Sequence, residues 1–354
     1  MTVVVVQHAA ADGRDATFDR YTRTHSVEEH DGRVRVVRVG RWANVAKLDL
    51  APGLFAALRG EARRRPDVWH LHAPNVTTML ALAATPRVGP LVVTHHSDIV
   101  RQRVLKYAVR PLERLTYRRA ARVMPTSAVY ADGSPLLAEF AGKVTPLPLG
   151  IDLTPFQTPS AAAVAFADEL RRRYPCPLWA SVGRLIYYKG LHVALEALRG
   201  VAGTLLVVGT GPLEGELKRR AAELGVADRV AWLGNASADE LTGAYHAATS
   251  LWFPSVARSE AFGLVQVEAM ASGCPVVNTA IPGSGVAWVC RHEREGLTVP
   301  MNDAPALAAA ATRLLTEQGL RDRLSAAGRV RAAAEFDWRV MGARSLEIYR
   351  AVCR

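Results

Sequence analysis

Two α/β domains, each built on a parallel sheet, are the fold class this sequence predicts. Short apolar runs alternate with helical patterns almost throughout, as βαβ units require. The 354 residues, at roughly 150 per domain, predict about two domains. A Pro- and Ala-rich connector at 147–163 interrupts the alternation once, so the first domain is set at residues 1–150 and the second starts at 151.

In the first half the strands are expected at 3–6, 34–39, 68–72, 91–94 and 122–125, each a short run rich in Val, Leu or Ile. Between the last two, positions 103, 106, 110, 114 and 118 recur at helical spacing, predicting a helix over 100–122. In the second half the apolar runs at 178–182, 204–208, 230–233, 250–253 and 275–279 read as strands. Leu191, Ala194, Leu195 and Leu198 share one face of a helix. So do Leu307, Ala310, Leu314 and Leu315 near the end, and Trp338, Met341, Leu346, Ile348 and Tyr349 close the chain as an amphipathic stretch.

Hydrophobic residues make up 49% and charged residues 22%, the balance of a soluble globular protein rather than a disordered or fibrous one. The longest apolar stretches fall well short of the roughly 18 residues a spanning helix needs. The opening residues lack the basic segment, apolar run and small-residue site of a secretory signal, so the expected location is the cytoplasm. Cys176, Cys274, Cys290 and Cys353 form no C-x-x-C pair and are expected as buried thiols. Of the net charge of +11, the first 150 residues carry +9, with 22 basic against 13 acidic residues. Such a field favours phosphorylated ligands or anionic lipid. Nucleic acid is excluded as a partner, because no recognition helix, zinc finger or aromatic-interleaved basic platform is present.

Ligands of open α/β sheets bind beyond the carboxyl ends of the strands, so the loops there are where chemistry belongs. After 178–182 comes Gly183-Arg184-Leu185-Ile186-Tyr187-Tyr188-Lys189-Gly190. Its Arg fork and Lys point charge suit diphosphate oxygens, although a solvated basic loop also fits. After 250–253 comes a loop holding Ser259, Glu260, Ala261, Phe262 and Gly263, then a helix with Glu268 that stops at Ser272-Gly273-Cys274-Pro275. The first N–H groups of such a helix form an anion site. Glu260 is expected just before the helix and Glu268 about two turns inside it. A spacing of eight residues runs about 80° past two whole turns, so the two carboxylates reach different parts of one ligand, or merely offset the helix dipole. Val208-Gly209-Thr210-Gly211-Pro212 imitates a dinucleotide fingerprint but lacks its third glycine. Gly209 and Gly211 then serve either close approach of a ligand or a tight turn. Thr94-His95-His96-Ser97-Asp98 brings two imidazoles and a carboxylate to the first domain. Neighbouring positions on an extended chain point apart, and no zinc-ligand spacing accompanies them, so a metal site is not expected. Arg103, Lys106, Arg110, Arg114 and Arg118 form a basic stripe opposite Val104, Leu105, Ala108, Leu112 and Leu115, fit either for an anionic membrane surface or for ordinary solvent exposure.

Taken in order, G-R…K-G, V-G-x-G-P, W-L-G at 232–234 and F-P-S…S-E-A-F-G-L-x-x-x-E-A-M-A-S-G-x-P-V-V resemble the retaining GT-B glycosyltransferases of family 4. His96-Ser97-Asp98-Ile99-Val100, Pro148-Leu149-Gly150-Ile151-Asp152 and Phe336-Asp337-Trp338 extend the resemblance over nearly the whole chain. It implies two Rossmann-like domains facing a cleft, with residues 151–335 binding the nucleotide sugar and residues 336–354 crossing back to an acceptor-side domain at 1–150. By the same resemblance Arg184 and Lys189 hold the diphosphate, Glu268 the ribose hydroxyls and Glu260 the donor hexose. The N–H groups of Ala261, Phe262, Gly263 and Leu264 touch sugar or phosphate, and His96 meets the donor sugar. The stretch from His96 to Gln102 is most similar to mannosyltransferases that use GDP-mannose. One departure is expected to matter: the family opens with a strand, a Gly-Gly loop and a helix before the strand that residues 3–6 resemble. About one βα unit is therefore expected to be missing from the first domain, either because the sequence starts late or because the chain is catalytically impaired.

The implied reaction is hexosyl transfer with retention to a hydroxyl of a glycan, a lipid-linked or a small-molecule acceptor. No D-x-D triplet calls for a divalent metal, and no cofactor beyond the donor is implied. The rival readings are a GT-B sugar-nucleotide epimerase and a catalytically impaired nucleotide-sugar-binding remnant. The charge excess of the first domain adds peripheral contact with the cytoplasmic membrane face.

Overall fold

The computed structural model describes residues 1–10, 19–45, 48–98 and 103–354, with the backbone alone at 103–106. The chain forms two units. Unit 1 comprises Met1–Met124, Glu139–Thr145 and Glu347–Arg354, and unit 2 comprises Pro125–Ala138 and Pro146–Leu346. Residues 125–138 therefore fold with the second unit rather than the first, as do 146–150, and of the closing helix Trp338–Val352 only the last turns belong to unit 1.

Unit 1 carries strands β1 (Thr2–Val6), β2 (Val27–Asp31), β3 (Val34–Val39), β4 (Ala43–Val45), β5 (Leu48–Leu50), β6 (Trp69–Ala73), β7 (Leu91–His95) and β8 (Ala120–Pro125). They form separate ladders, in the orders β1-β3-β2, β4-β5 and β6-β7-β8. β1 runs parallel to β3, and β6 parallel to β7, as the alternation predicts. β2 and β3 form an antiparallel hairpin closed at Gly32 and Arg33. The helix Arg103–Arg119 precedes β8.

Unit 2 is one six-stranded parallel sheet of β9 (Leu178–Val182), β10 (Thr204–Val208), β11 (Val230–Gly234), β12 (Ser250–Phe253), β13 (Val276–Thr279) and β14 (Gly296–Val299), in the order β11-β10-β9-β12-β13-β14. Its strands are apolar on both faces because helices cover both faces. Trp179 on β9 stacks on Trp252 of β12 with centroids 5.0 Å apart, both fully buried, on one face. Ala180, Leu251 and Phe253 pack on the other. The 147–163 connector already holds the start of the helix Ala161–Arg173, whose first turn is capped by Ser160. Cys274 and Cys290 are buried as expected, but Cys176 and Cys353 are exposed. Among the described residues, no helix is long and apolar enough to cross a membrane.

Candidate functional site

Strand order fixes where the site of unit 2 lies. The chain starts in the middle at β9, runs outward through β10 and β11, then returns to place β12 on the other side of β9. The loops after β9 and β12 therefore leave the sheet side by side at the point where the order reverses, the place where such sheets bind ligands. Gly190 ties them together: its φ is +65°, and a Cβ there would lie 1.9 Å from the Pro254 carbonyl oxygen, so no other residue fits. The N–H of Val256 donates to the Tyr188 carbonyl across the same junction, at 2.8 Å.

This junction brings Lys189 and Glu260 into contact. Lys189 Nζ lies 2.6 Å from Glu260 Oε2, and the two side chains are only 18% and 10% exposed. The ammonium also sits 5.0 Å from the centroid of the buried Phe253 ring, where the aromatic face favours a cation. Ser255 Oγ donates to the same carboxylate oxygen at 3.4 Å. Arg184 is exposed on the β9 loop, five residues before Lys189. A cation and an anion held together at a sheet's carboxyl edge can grip, at once, a phosphate through the first and hydroxyls through the second.

Glu268 lies elsewhere. The helix is Leu264–Ser272, so Glu268 is one turn inside it rather than two. Its Oε2 accepts from the Tyr245 hydroxyl at 2.7 Å. Burial pushes the Glu268 carboxyl above the usual carboxylate range, against the pull of that hydrogen bond and of the Lys189 charge. Burial also pushes the Tyr245 hydroxyl up, so it remains a donor. Behind the helix the fully buried Gln266 and Asn278 bond each other at 2.8 Å and tie the Phe262 and Cys290 carbonyls, fixing the loop that carries Ala261, Phe262 and Gly263. Gly263, at φ +79°, opens the helix, and within its first turn the Gln266 N–H already donates to the Gly263 carbonyl at 2.9 Å.

Gly209 and Gly211 serve neighbouring backbone. A Cβ on Gly209, whose φ is +124°, would lie 2.2 Å from the Gly183 carbonyl oxygen, and one on Gly211 2.5 Å from that of Leu185. The β10 loop thus packs directly against the β9 loop that carries Arg184 and Lys189, and Leu185 N–H donates to Thr210 O at 2.9 Å. Both glycines thus allow close approach of neighbouring chain at this point.

In unit 1, His95 and His96 do point apart. His95 is buried and its Nδ1 is bonded to the Tyr117 hydroxyl at 2.5 Å, with Asp98 3.3 Å from its Nε2. His96 Nε2 instead meets Nδ1 of His72 at 2.8 Å, and the rings lie edge to edge and nearly parallel, with centroids 5.1 Å apart. Burial and the neighbouring imidazoles of His72 and His95 push His96 down to about 4, so the ring is neutral near pH 7. Sequence patterns alone did not point to Tyr245, Gln266, Asn278 or His72. For His72 a signal existed: His70 and His72 stand two apart on one strand and so share a face.

The basic stripe is altered. Glu139 accepts from Arg110 at 2.9 Å and from Arg114 at 2.7 Å, so two of its cations are paired. Its supposed apolar opposite is also wrong in part. Ala108 and Leu115 are exposed, as is Tyr107, while Val109, Glu113, Thr116 and Tyr117 face the core. Ile99 to Gln102 lie outside the described residues, and the side chains of Arg103 and Lys106 do as well.

Comparison with known proteins bears on both units. A family profile described as Glycosyl transferase 4-like domain matches residues 1–150, and one described as Glycosyl transferases group 1 matches residues 169–331. D-rhamnosyltransferase WbpZ of Pseudomonas aeruginosa is 33% identical over 246 residues, covering 70% of this chain and 62% of the relative, less than two thirds of its length. D-inositol 3-phosphate glycosyltransferase of Xylanimonas cellulosilytica is 30% identical over 387 aligned residues, covering 99% of this chain and 91% of the relative. Sucrose-phosphate synthase from Thermosynechococcus elongatus matches in structure with a TM-score of 0.78 at 24% identity, over 99% of this chain and 88% of that one, a likeness of fold.

Proposed function

The chain belongs to the GT-B glycosyltransferases of family 4, and from that premise we propose that it moves a hexose, with retention, from a nucleoside diphosphate to an acceptor hydroxyl. The observation that carries this reading is the Lys189–Glu260 pair at the switch point of the unit 2 sheet, with Glu268 held one turn inside the adjoining helix. Arg184 and Lys189 take the diphosphate, and Glu260 takes hydroxyls of the hexose. Glu268 takes the ribose hydroxyls, and the N–H groups of Ala261, Phe262, Gly263 and Leu264 take sugar or phosphate oxygens. His96 meets the donor sugar from unit 1.

In the reaction the bond from sugar C1 to the diphosphate oxygen breaks and a bond from C1 to the acceptor oxygen forms on the same face. The acceptor's proton passes to a diphosphate oxygen. Negative charge grows on the diphosphate as it leaves, so the cations of Arg184 and Lys189 stabilise the transition state more than the ground state. No protein nucleophile takes part in this scheme. The protein supplies position and fixed charge.

Mannose is the proposed hexose and GDP its carrier. The stretch from His96 to Gln102 supports this, and so does the relation to a D-rhamnosyltransferase, because D-rhamnose is mannose without its 6-hydroxyl. The acceptor is proposed to be anionic or lipid-linked, presented at a membrane surface to the exposed Tyr107, Leu115 and Arg118 of the helix Arg103–Arg119.

The test is release of nucleoside diphosphate from a panel of GDP- and UDP-sugars, with and without lipid-linked and free glycan acceptors, and proton NMR of the product's anomeric centre. GDP-mannose consumed to an α-linked product is the expected result. An inverted product overturns retention, and turnover of UDP-sugars alone overturns the donor.

A further inference from the structure

His96 does not stand alone in unit 1. Its Nε2 meets His72 Nδ1 at 2.8 Å, and the ring of His72 lies between those of His96 and His70, with centroids 5.1 and 4.6 Å away. His70 is fixed at both nitrogens, Nε2 by Thr94 Oγ1 at 2.7 Å and Nδ1 by the Tyr349 hydroxyl at 2.6 Å. Two imidazoles thus follow one anchored ring: His72 stacks on His70, and His96 is joined edge to edge to His72. Backbone holds the upper end as well, because His96 N–H donates to the Ala73 carbonyl at 2.9 Å.

A hydrogen bond between two neutral imidazoles contains one proton. If Nδ1 of His72 carries it, then Nε2 of His96 accepts, and His96 must carry its own proton on Nδ1. If Nε2 of His96 carries it, Nδ1 of His96 is a bare acceptor. The tautomer of His72 therefore decides whether His96 offers a ligand an N–H or a lone pair. A sugar diphosphate is rich in acceptor oxygens, so the N–H form is the useful one.

We propose that His72, its ring seated on that of His70, is a positioning residue that donates from Nδ1 to His96 Nε2 and so holds His96 as the Nδ1-protonated tautomer. This rests on the reading of His96 at the donor sugar.

Two replacements separate the ring from its nitrogen. H72F keeps a stacked ring without a donor, whereas H72N keeps an N–H donor near the position of Nδ1 without the ring. Nitrogen-15 NMR of histidine-labelled protein reads the His96 tautomer directly, independently of activity, with H96A assigning the resonances. The wild type and H72N should carry the proton on Nδ1, and H72F should shift it toward Nε2. In steady-state transfer, loss of one such hydrogen bond predicts a kcat about 10-fold lower in H72F with donor KM within about 3-fold, and H72N within about 3-fold of wild type. A wild-type His96 protonated on Nε2, or a tautomer unchanged in H72F, overturns the proposal. So does an unchanged kcat in H72F when H96A is impaired. Full activity in H96A removes instead the donor-sugar reading, and leaves the tautomer result to judge His72. Should H72F fail to fold, the wild-type tautomer and H72N decide alone.

Discussion

Lys189 and Glu260 in unit 2 meet as an ion pair at 2.6 Å, whereas His72 and His96 in unit 1 meet as neutral rings at 2.8 Å. Both pairs are partly withdrawn from water, and the same physics acts on both. Withdrawal from water disfavours charge, and a neighbour of opposite sign restores it while a neighbour of like sign adds to the penalty. Opposite partners therefore leave unit 2 with fixed charge suited to phosphate, and like partners leave unit 1 with uncharged groups suited to hydroxyls and protons. Sheet construction differs in parallel. The unit 2 site hangs on neighbouring strands of one continuous sheet, and the imidazole stack of unit 1 on β6 and the end of β7 in a ladder of three.

Removing the unit 2 charges should produce the largest effect. Lys189→Ala and Glu260→Gln are each expected to lower kcat/KM at least about 100-fold, because each removes charge serving the reacting centre. Since the two touch, the double variant should lose far less than the product of the single losses. Losses that multiply fully would show two independent sites, and wild-type turnover in either single variant would remove the ion pair from the chemistry.

Glu268 supplies an intermediate effect with a pH signature. Glu268→Ala should weaken donor binding about 10-fold or more with kcat less affected, since ribose contacts exist in ground and transition states alike. The carboxylate is the form that accepts from hydroxyls, and burial raises its pKa. Donor affinity should therefore fall on acidification at a higher pH than an ordinary carboxylate would give. The Tyr245 hydroxyl donates to the charged form and holds that value down, so Tyr245→Phe should move the acid limb to still higher pH. A limb that stays in place, measured by donor titration across pH, would separate Tyr245 from the site.

The parallel strands and the loops after β9 and β12 were legible because alternating apolar runs and punctuating glycines report buried strands and close backbone approaches locally. β2 was not legible. Its Val-Glu-Glu-His-Asp is exposed throughout and stabilised by partners on β3, with Arg35 on Glu28 and Arg38 on Glu29. Only Gly32, in the two-residue turn with Arg33, signals that hairpin in sequence. Arg184, Lys189, Glu260 and Glu268 were readable as residue types in motifs, but the contact between the second and third depends on the β9–β12 adjacency, a crossover that no local pattern encodes. Tyr245 and His72 were missed for the same reason, each acting through a residue far away in sequence. The stripe on Arg103–Arg119 was misread because spacing alone does not say which side of a helix meets the core, or that Glu139 pairs two of its arginines.

That pairing gives the smallest expected effect and a direct way to test the charge of unit 1. With Arg110 and Arg114 held by Glu139, the proposed attraction to anionic lipid rests, among the described side chains of the stripe, on Arg118, beside the exposed Tyr107 and Leu115. Each surface cation contributes roughly 1 kcal/mol, so Arg118→Gln should weaken co-sedimentation with anionic vesicles about 5-fold. Glu139→Gln should do the reverse, because it releases two guanidinium groups at once and strengthens binding beyond wild type. Both changes should shrink as salt rises, since screening shortens to about 8 Å at physiological ionic strength, and neither should alter binding to neutral vesicles. If Glu139→Gln leaves anionic binding unchanged, the helix is an ordinary solvent face. The acceptor would then be a soluble hydroxyl compound.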